Sequence, residues 1–397
     1  MDTTGTQTKE PIVNGPIQVS LSSKGDSLYD LWFNRDSTLR PLLVHKDFEQ
    51  VALKMLFNPS NSDLLGLSTR GPNVFITNED PNFSEKLNSF LVIASRLEQN
   101  TFSIKVNKKT PESFSLRKYV PSVYDQGTMG CCFANSLSQL INVCRAYSWE
   151  QMFPSLSLKE ILDNVWEKRP SRTFIQYNCD RIQTEIFGNT VFEQGAMDWS
   201  ALQSIKEFGA PSETIYDYPI INIVSRKKFK TLNPKVQNEL LLELYQKIVH
   251  PADSYVYAKA KYEHDMNNLS WMSITNPKLS VNKNDLEKFD IAKTKIKELI
   301  SNGFALYAGI PVYDSWICLP KHDNEIVPLP SEEDNQQGFH AICLVGYDKD
   351  YVEFVNSWGS STGNSGFFKL PWKYLESDKC SVSLLVSWDW KQSSILK

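Results

Sequence analysis

Apolar residues recur at helical spacing behind Cys132, at Phe133, Leu137, Leu140, Ile141 and Cys144. The pattern predicts an amphipathic helix with Cys132 in its first turn. Towards the C-terminus the pattern changes. Gly338-Phe339-His340-Ala341-Ile342-Cys343-Leu344-Val345 reads as an apolar strand running into a Gly346-Tyr347-Asp348 turn, and residues 351–355 read as a second strand that delivers Asn356-Ser357-Trp358-Gly359. A hairpin of this kind sets His340 and Asn356 on neighbouring strands. Before the Cys132 helix lie two further helical stripes, Phe48, Val51, Ala52, Met55, Leu56 and then Phe83, Leu87, Phe90, Leu91, Ala94, Leu97. Turn signals at Pro59, Ser60, Gly66, Gly71 and Pro72 and a short strand at 73–76 separate them, so residues 19–111 read as a folded N-terminal extension. Residues 1–18 are polar and are expected to be a disordered tail.

A cysteine at a helix start is positioned for chemistry, because unpaired backbone N–H groups and the positive end of the helix dipole favour a thiolate there. A nucleophile also needs a base and a group that orients the base. His340 and Asn356 are candidates for those roles. Gln126, six residues before Cys132, is a candidate side-chain donor to an oxyanion. Cys131 competes with Cys132 as the nucleophile, but the register with Gln126 and with the helix selects Cys132 and leaves Cys131 dispensable.

The ordered blocks Gln126-Gly127-Thr128-Met129-Gly130-Cys131-Cys132, His340-Ala341 through Val345-Gly346-Tyr347, and Asn356-Ser357-Trp358-Gly359 resemble the papain-like (cathepsin-type) cysteine peptidase family. The likeness extends to Ser115-Leu116-Arg117, Gly195-Ala196-Met197-Asp198-Trp199-Ser200-Ala201-Leu202-Gln203, and Gly366-Phe367-Phe368-Lys369-Leu370-Pro371, which resembles the family's closing strand. In pattern it is nearest to bacterial and large-DNA-virus members. The resemblance implies an α+β, two-subdomain fold: a helical left subdomain and an antiparallel, barrel-like right subdomain, preceded by the N-terminal extension. It implies Cys132 as nucleophile, His340 as general base and acid, Asn356 as its orienting amide and Gln126 as oxyanion donor. Gly195 and Trp358 would border the bound substrate. The sequence departs from the family pattern at Met129, where secreted members carry a disulfide cysteine, at Phe133, where a tryptophan is usual, at Thr362, where a second aromatic is usual, and at Phe339, where papain has an acidic residue.

Composition narrows the partners. A net charge of −4 over 397 residues carries no basic signature for nucleic acid or an anionic membrane, and an apolar fraction of 41% is ample for a core. No cofactor is expected, and the scattered histidines and cysteines lack metal-ligand spacing. The expected partner is a protein or peptide substrate. The polar N-terminus and odd number of cysteines point to a cytoplasmic, reduced protein, virion-associated if virus-encoded. Residues 112–397 are assigned to the peptidase domain, with residues 19–111 read as a propeptide that inhibits the enzyme, cut within 105–118, or as an accessory domain. His340 follows Cys132 by far more than the roughly 130–150 residues of compact relatives. Insertions are expected in a helix-rich stretch at 220–297 and an irregular loop at 316–337. An exopeptidase, an acyl-transferase and a non-catalytic binding protein on the same fold are the alternatives to an endopeptidase.

Overall fold

The computed structural model describes residues 110–127, 130–187, 195, 196, 198–218, 233, 236, 252–267, 269–275, 286–317, 325–377 and 380–387. The tail at 1–18, nearly all of the extension at 19–111, the basic pair Lys108-Lys109 and His322 lie outside the described residues. In chain order the helices are α1 (Cys132–Met152), α2 (Leu158–Glu167), α3 (Arg172–Phe187), α4 (Asp198–Phe208), α5 (Ser254–Asn267), α6 (Leu286–Ser301), α7 (Asp314–Ile317) and α8 (Trp372–Leu375). The strands are β1 (Phe114–Ser115), β2 (Leu269–Thr275), β3 (Leu306–Tyr313), β4 (Gln336–Tyr347), β5 (Tyr351–Val355), β6 (Phe367–Pro371) and β7 (Ser381–Ser387).

Helix α1 begins where the apolar spacing places it, with Cys131 as N-cap and Cys132 as the first helical residue. It is not one-faced, however. Asn135, Ser136, Ser138, Gln139 and Asn142 are buried along with the apolar stripe. The reason is position: α2, α3 and α4 pack on one side of α1, and β3 and β4 on the other. Polar groups enclosed in this way need partners inside the protein; Ser136 Oγ and both ends of the Gln139 amide have none among the described residues, while others do. Ser138 accordingly donates to the Pro170 carbonyl at 2.9 Å, and Asn142 donates to the Tyr124 hydroxyl at 3.0 Å.

The strands form one antiparallel sheet in the order β2-β7-β3-β4-β5-β6, with β1 added to the end of β4. The described ladder runs as an open path from β2 to β6, which gives the α+β class its sheet half. β3 is buried along almost its whole length and pairs with β4 so that Ile310 faces His340. The β4–β5 hairpin forms as its sequence pattern predicts, with Cys343 opposite Val355.

Three details differ from expectation. The stretch at 220–297 contains not only α5 and the start of α6 but also a strand, β2, whose register is set by β7 more than a hundred residues later. The loop at 316–337 is ordered at both ends, by α7 and by the first residues of β4. In its described middle, which carries Pro328 and Pro330, an isolated bridge joins Ile326 to Lys369. Finally, β6 is not the closing strand, since β7 follows it and sits between β2 and β3.

Candidate active site

His340 and Asn356 are brought together by the hairpin. His340 lies on β4, Asn356 lies one residue past β5, and the His340 Nε2 to Asn356 Oδ1 distance is 2.7 Å. The same amide oxygen accepts the Ser357 backbone N–H at 2.8 Å, which fixes which end of the amide faces the ring. An oxygen can only accept, so Nε2 carries the proton and Nδ1 keeps its lone pair. Nδ1 is buried and has no hydrogen-bond partner among the described residues. The indole of Trp358 stacks on the imidazole, with centroids 4.7 Å apart and planes 29° apart. Trp316 of α7 packs against both rings, 5.1 Å from Trp358 and 6.2 Å from His340. The sequence reading had placed Trp316 at the edge of an irregular loop. Its burial beside His340 supplies an aromatic wall near a site where Thr362 stands in place of one.

Cys132 approaches the same spot from the other half. Its sulfur faces the backbone N–H of Ala341, the residue after the histidine. Burial pushes the thiol up to about 12, opposed by that N–H. Burial likewise pulls the imidazole down to about 4, opposed by the bond to Asn356. Each group alone is therefore neutral at pH 7. Moving the thiol proton onto Nδ1 forms both charges without changing the net charge of the buried pair, so internal proton transfer is the cheaper route to a thiolate.

Gln126 is joined to the Asn356 loop. Its backbone N–H donates to the Ser357 carbonyl at 2.8 Å, and the Ser357 hydroxyl donates to Gln126 Oε1, turning the amide N–H groups away from that serine. The ladder continues with Gly359 N–H to the Tyr124 carbonyl at 2.9 Å. Immediately after Gln126 the chain turns through Gly127 at φ 60°, a conformation suited to glycine. On the helical side, Arg172 and Glu213 form a buried ion pair at 2.7 Å, and Arg172 also donates to Asn135 Oδ1 at 2.7 Å. No motif announces this pair, because its members are brought together only by the packing of α3 against the chain after α4.

Gly195 is buried, with φ 100°, just ahead of α4. Asp198, quoted in the sequence block without a role, is the first residue of α4 and is buried; Tyr307 of β3 donates to its Oδ1 at 2.8 Å and Ser381 of β7 donates to its Oδ2. Burial, opposed by these two bonds, pushes its carboxyl up to about 7. Cys131, Cys132, Cys144 and Cys343 are buried thiols, and Cys179 lies 3.3 Å from the Ser200 hydroxyl. Among the described residues no cluster of three or more His, Cys, Asp or Glu side chains is arranged to hold a metal ion.

Residues 110–387 match the papain family cysteine protease profile. The chain is 26% identical over 272 residues to an uncharacterized peptidase C1-like protein of Acanthamoeba polyphaga mimivirus, covering 67% of this chain and 70% of that one. Among solved structures it is similar to xylellain, a cysteine protease from Xylella fastidiosa, at 22% identity and a TM-score of 0.48, with 72% of this chain and 90% of that chain covered. It is also similar to procathepsin B S9 from Trypanosoma congolense, at 11% identity and a TM-score of 0.44, covering 87% and 99%. The family match begins at the segment that carries β1 and runs to the end of β7, so that it takes in every residue of the site just described. The chain belongs to the papain family of cysteine proteases and is a thiol protease.

Proposed function

We infer that the enzyme is an endopeptidase acting through Cys132, His340 and Asn356, with Gln126 as oxyanion donor. The carrying observation is the histidine with Nε2 committed to Asn356 and Nδ1 unpartnered, one residue from the N–H that faces the Cys132 sulfur. The Cys132 sulfur attacks the peptide carbonyl while its proton passes to His340 Nδ1. The carbonyl oxygen becomes an oxyanion held by the Gln126 amide and the Cys132 backbone N–H. His340 then returns the proton to the leaving nitrogen, the C–N bond breaks, and a thioester remains. Water, deprotonated by His340, attacks the thioester and releases the acid and the thiol. Asn356 holds the ring in the required tautomer, and Trp358 and Trp316 keep water from that bond, strengthening it. Gly195 and Trp358 border the peptide on its two sides.

An epoxide thiol inhibitor tests this reading directly. Intact mass should show one adduct in the wild type and in Cys131→Ala, and none in Cys132→Ala. Hydrolysis of a fluorogenic peptide should fall at least ~10⁴-fold in Cys132→Ala. Adduct formation that persists in folded Cys132→Ala would overturn the assignment.

The N-terminal extension is proposed to act as an inhibitory propeptide, on the strength of its two apolar stripes and the Lys108-Lys109 pair. Beyond that pair the chain is committed to the fold. Tyr347 donates to the Pro111 carbonyl at 3.0 Å, Phe114 and Ser115 pair with β4, and Leu116 N–H donates to the Val345 carbonyl at 2.6 Å. Cleavage should therefore map before Thr110. Full-length protein that cuts peptides without processing would remove the propeptide role and leave the enzyme. Buried thiols at Cys131, Cys132, Cys144 and Cys343 fit work in a reducing, cytoplasmic setting.

A further inference from the structure

Behind the nucleophile, four polar groups from three parts of the chain form a line. Asn135 Nδ2 lies 3.2 Å from Cys131 Sγ, Cys131 Sγ lies 2.9 Å from Tyr218 Oη, and Tyr218 Oη lies 2.8 Å from the backbone carbonyl oxygen of Gln126. The direction of each bond follows from what each group can do. A carbonyl oxygen only accepts, so the single phenol proton of Tyr218 goes to Gln126. The contact between Cys131 and Tyr218 must then be the thiol donating S–H to the phenol oxygen. Asn135 completes the line by donating N–H to the sulfur. Burial pushes the Cys131 thiol up to about 11, and burial also raises the Tyr218 phenol, so both protons are in place at neutral pH.

The line is held at its middle by a cation. The Arg172 guanidinium sits 3.7 Å over the Tyr218 ring and 4.2 Å over the Tyr124 ring, and it is anchored by Glu213 and by Asn135 Oδ1. A desolvated guanidinium over two phenol rings fixes their planes. Gln126 is consequently gripped from two directions: Ser357 holds its backbone N–H and side-chain oxygen, and Tyr218 holds its carbonyl.

The geometry points to Cys131 and Tyr218 as positioning residues that set the oxyanion donor of Gln126, with the Cys131 thiol serving as a hydrogen-bond donor. The inference rests on Gln126 serving the oxyanion, as proposed above. It turns the neighbouring cysteine from a spare nucleophile into a member of the site that acts through its proton. A side chain at 131 must donate, and serine meets that requirement where alanine does not. Tyr218→Phe leaves the ring under Arg172 but frees the Gln126 carbonyl.

The experiment measures kcat/KM on a fluorogenic peptide for Cys131→Ala, Cys131→Ser and Tyr218→Phe, each also in a Gln126→Ala background, with epoxide adduct mass to count functional thiols. Cys131→Ala and Tyr218→Phe should each lower kcat/KM about tenfold, less than the roughly 10²–10³-fold expected for losing a donor outright. Cys131→Ser should recover most of the alanine loss. With Gln126 already Ala, Tyr218→Phe and Cys131→Ala should each change kcat/KM less than twofold, while any shift in melting temperature persists in both backgrounds. A loss below twofold in the native background, or one undiminished without Gln126, overturns the positioning role. If Tyr218→Phe does not fold, the alanine and serine variants at 131 decide the matter alone. A wild type that takes an epoxide on Cys132 and cuts peptides, yet is unaffected by Gln126→Ala, overturns the oxyanion assignment itself and this inference with it.

Discussion

The imidazole side of the site is built from near neighbours in the chain, and the thiol side from distant ones. His340 and Asn356 are 16 residues apart on one hairpin, and their bond needs only the β4–β5 register and the stacked Trp358. The thiol side depends on the Arg172–Glu213 pair across 41 residues and on Tyr218 reaching Gln126 across 92. Its members are largely buried and polar, so they must be matched or they destabilise the fold. The two sides should therefore fail differently: the buried Arg172–Glu213 pair on the thiol side through stability, the imidazole side through rate.

The sharpest way to break the contrast is Arg172→Met, which leaves the buried Glu213 carboxylate with Arg169 as its remaining charged partner, at 3.2 Å. With Arg169 still matching the charge, it should cost about 2–3 kcal/mol in denaturant unfolding, and the double variant with Glu213→Leu should recover part of that loss. A change below ~1 kcal/mol in the single variant would mean the pair is not structurally required. Asn356→Ala, on the other side, should lower kcat/KM about 100-fold with little change in unfolding midpoint. If its midpoint falls as far as that of Arg172→Met, the contrast is gone.

Protonation sharpens the comparison further. Against an ordinary value of 6.5, His340 at about 4 gains stability as pH rises and loses about 3 kcal/mol as pH falls from 6.5 through 4. Asp198, raised from 3.8 to about 7, has the opposite sign: its contribution is full below 3.8 and declines by about 4 kcal/mol as pH rises through 7. Between pH 4 and 6.5 the two slopes oppose each other, so the unfolding free energy of the wild type should be nearly flat. Asp198→Asn should expose the His340 slope, with stability climbing through that window. An equally flat profile in Asp198→Asn would refute the assignment. The smallest expected effect is that of Trp316→Leu, which removes one aromatic contact with Trp358 and His340. About a fivefold fall in kcat/KM is expected, in line with ~1 kcal/mol for an aromatic pair, and no fall would show that Trp358 suffices.

How much of this was legible in the sequence depended on whether a residue's partner lies within its own motif. Helix α1, the β4–β5 hairpin and the candidates Gln126, Cys132, His340 and Asn356 could be read because each sits in a short ordered block with its own period or turn. β2 could not be read, since its pattern becomes a strand only against β7. The polar face of α1 gave no sign that it would be enclosed, because that depends on elements on both sides of it. Arg172, Glu213 and Tyr218 looked like ordinary polar residues, and Trp316 fell within a proline-rich stretch. Their significance is tertiary, arising from distances that no local spacing encodes.

The bond from Ser357 to Gln126 spans 231 residues, so on the proposed mechanism the site is complete only after both of its ends have been made. A ribosome adding about 5–20 residues per second needs on the order of ten seconds or more to make the stretch between them. Through most of that interval the proposed nucleophile has no base, and Gln126 lacks the Ser357 loop that holds it. A chain interrupted before the hairpin lacks His340 and Asn356, and long-range closure of this kind is a slow step in folding. On the proposed mechanism, activity waits until residues from both ends of the peptidase domain have met.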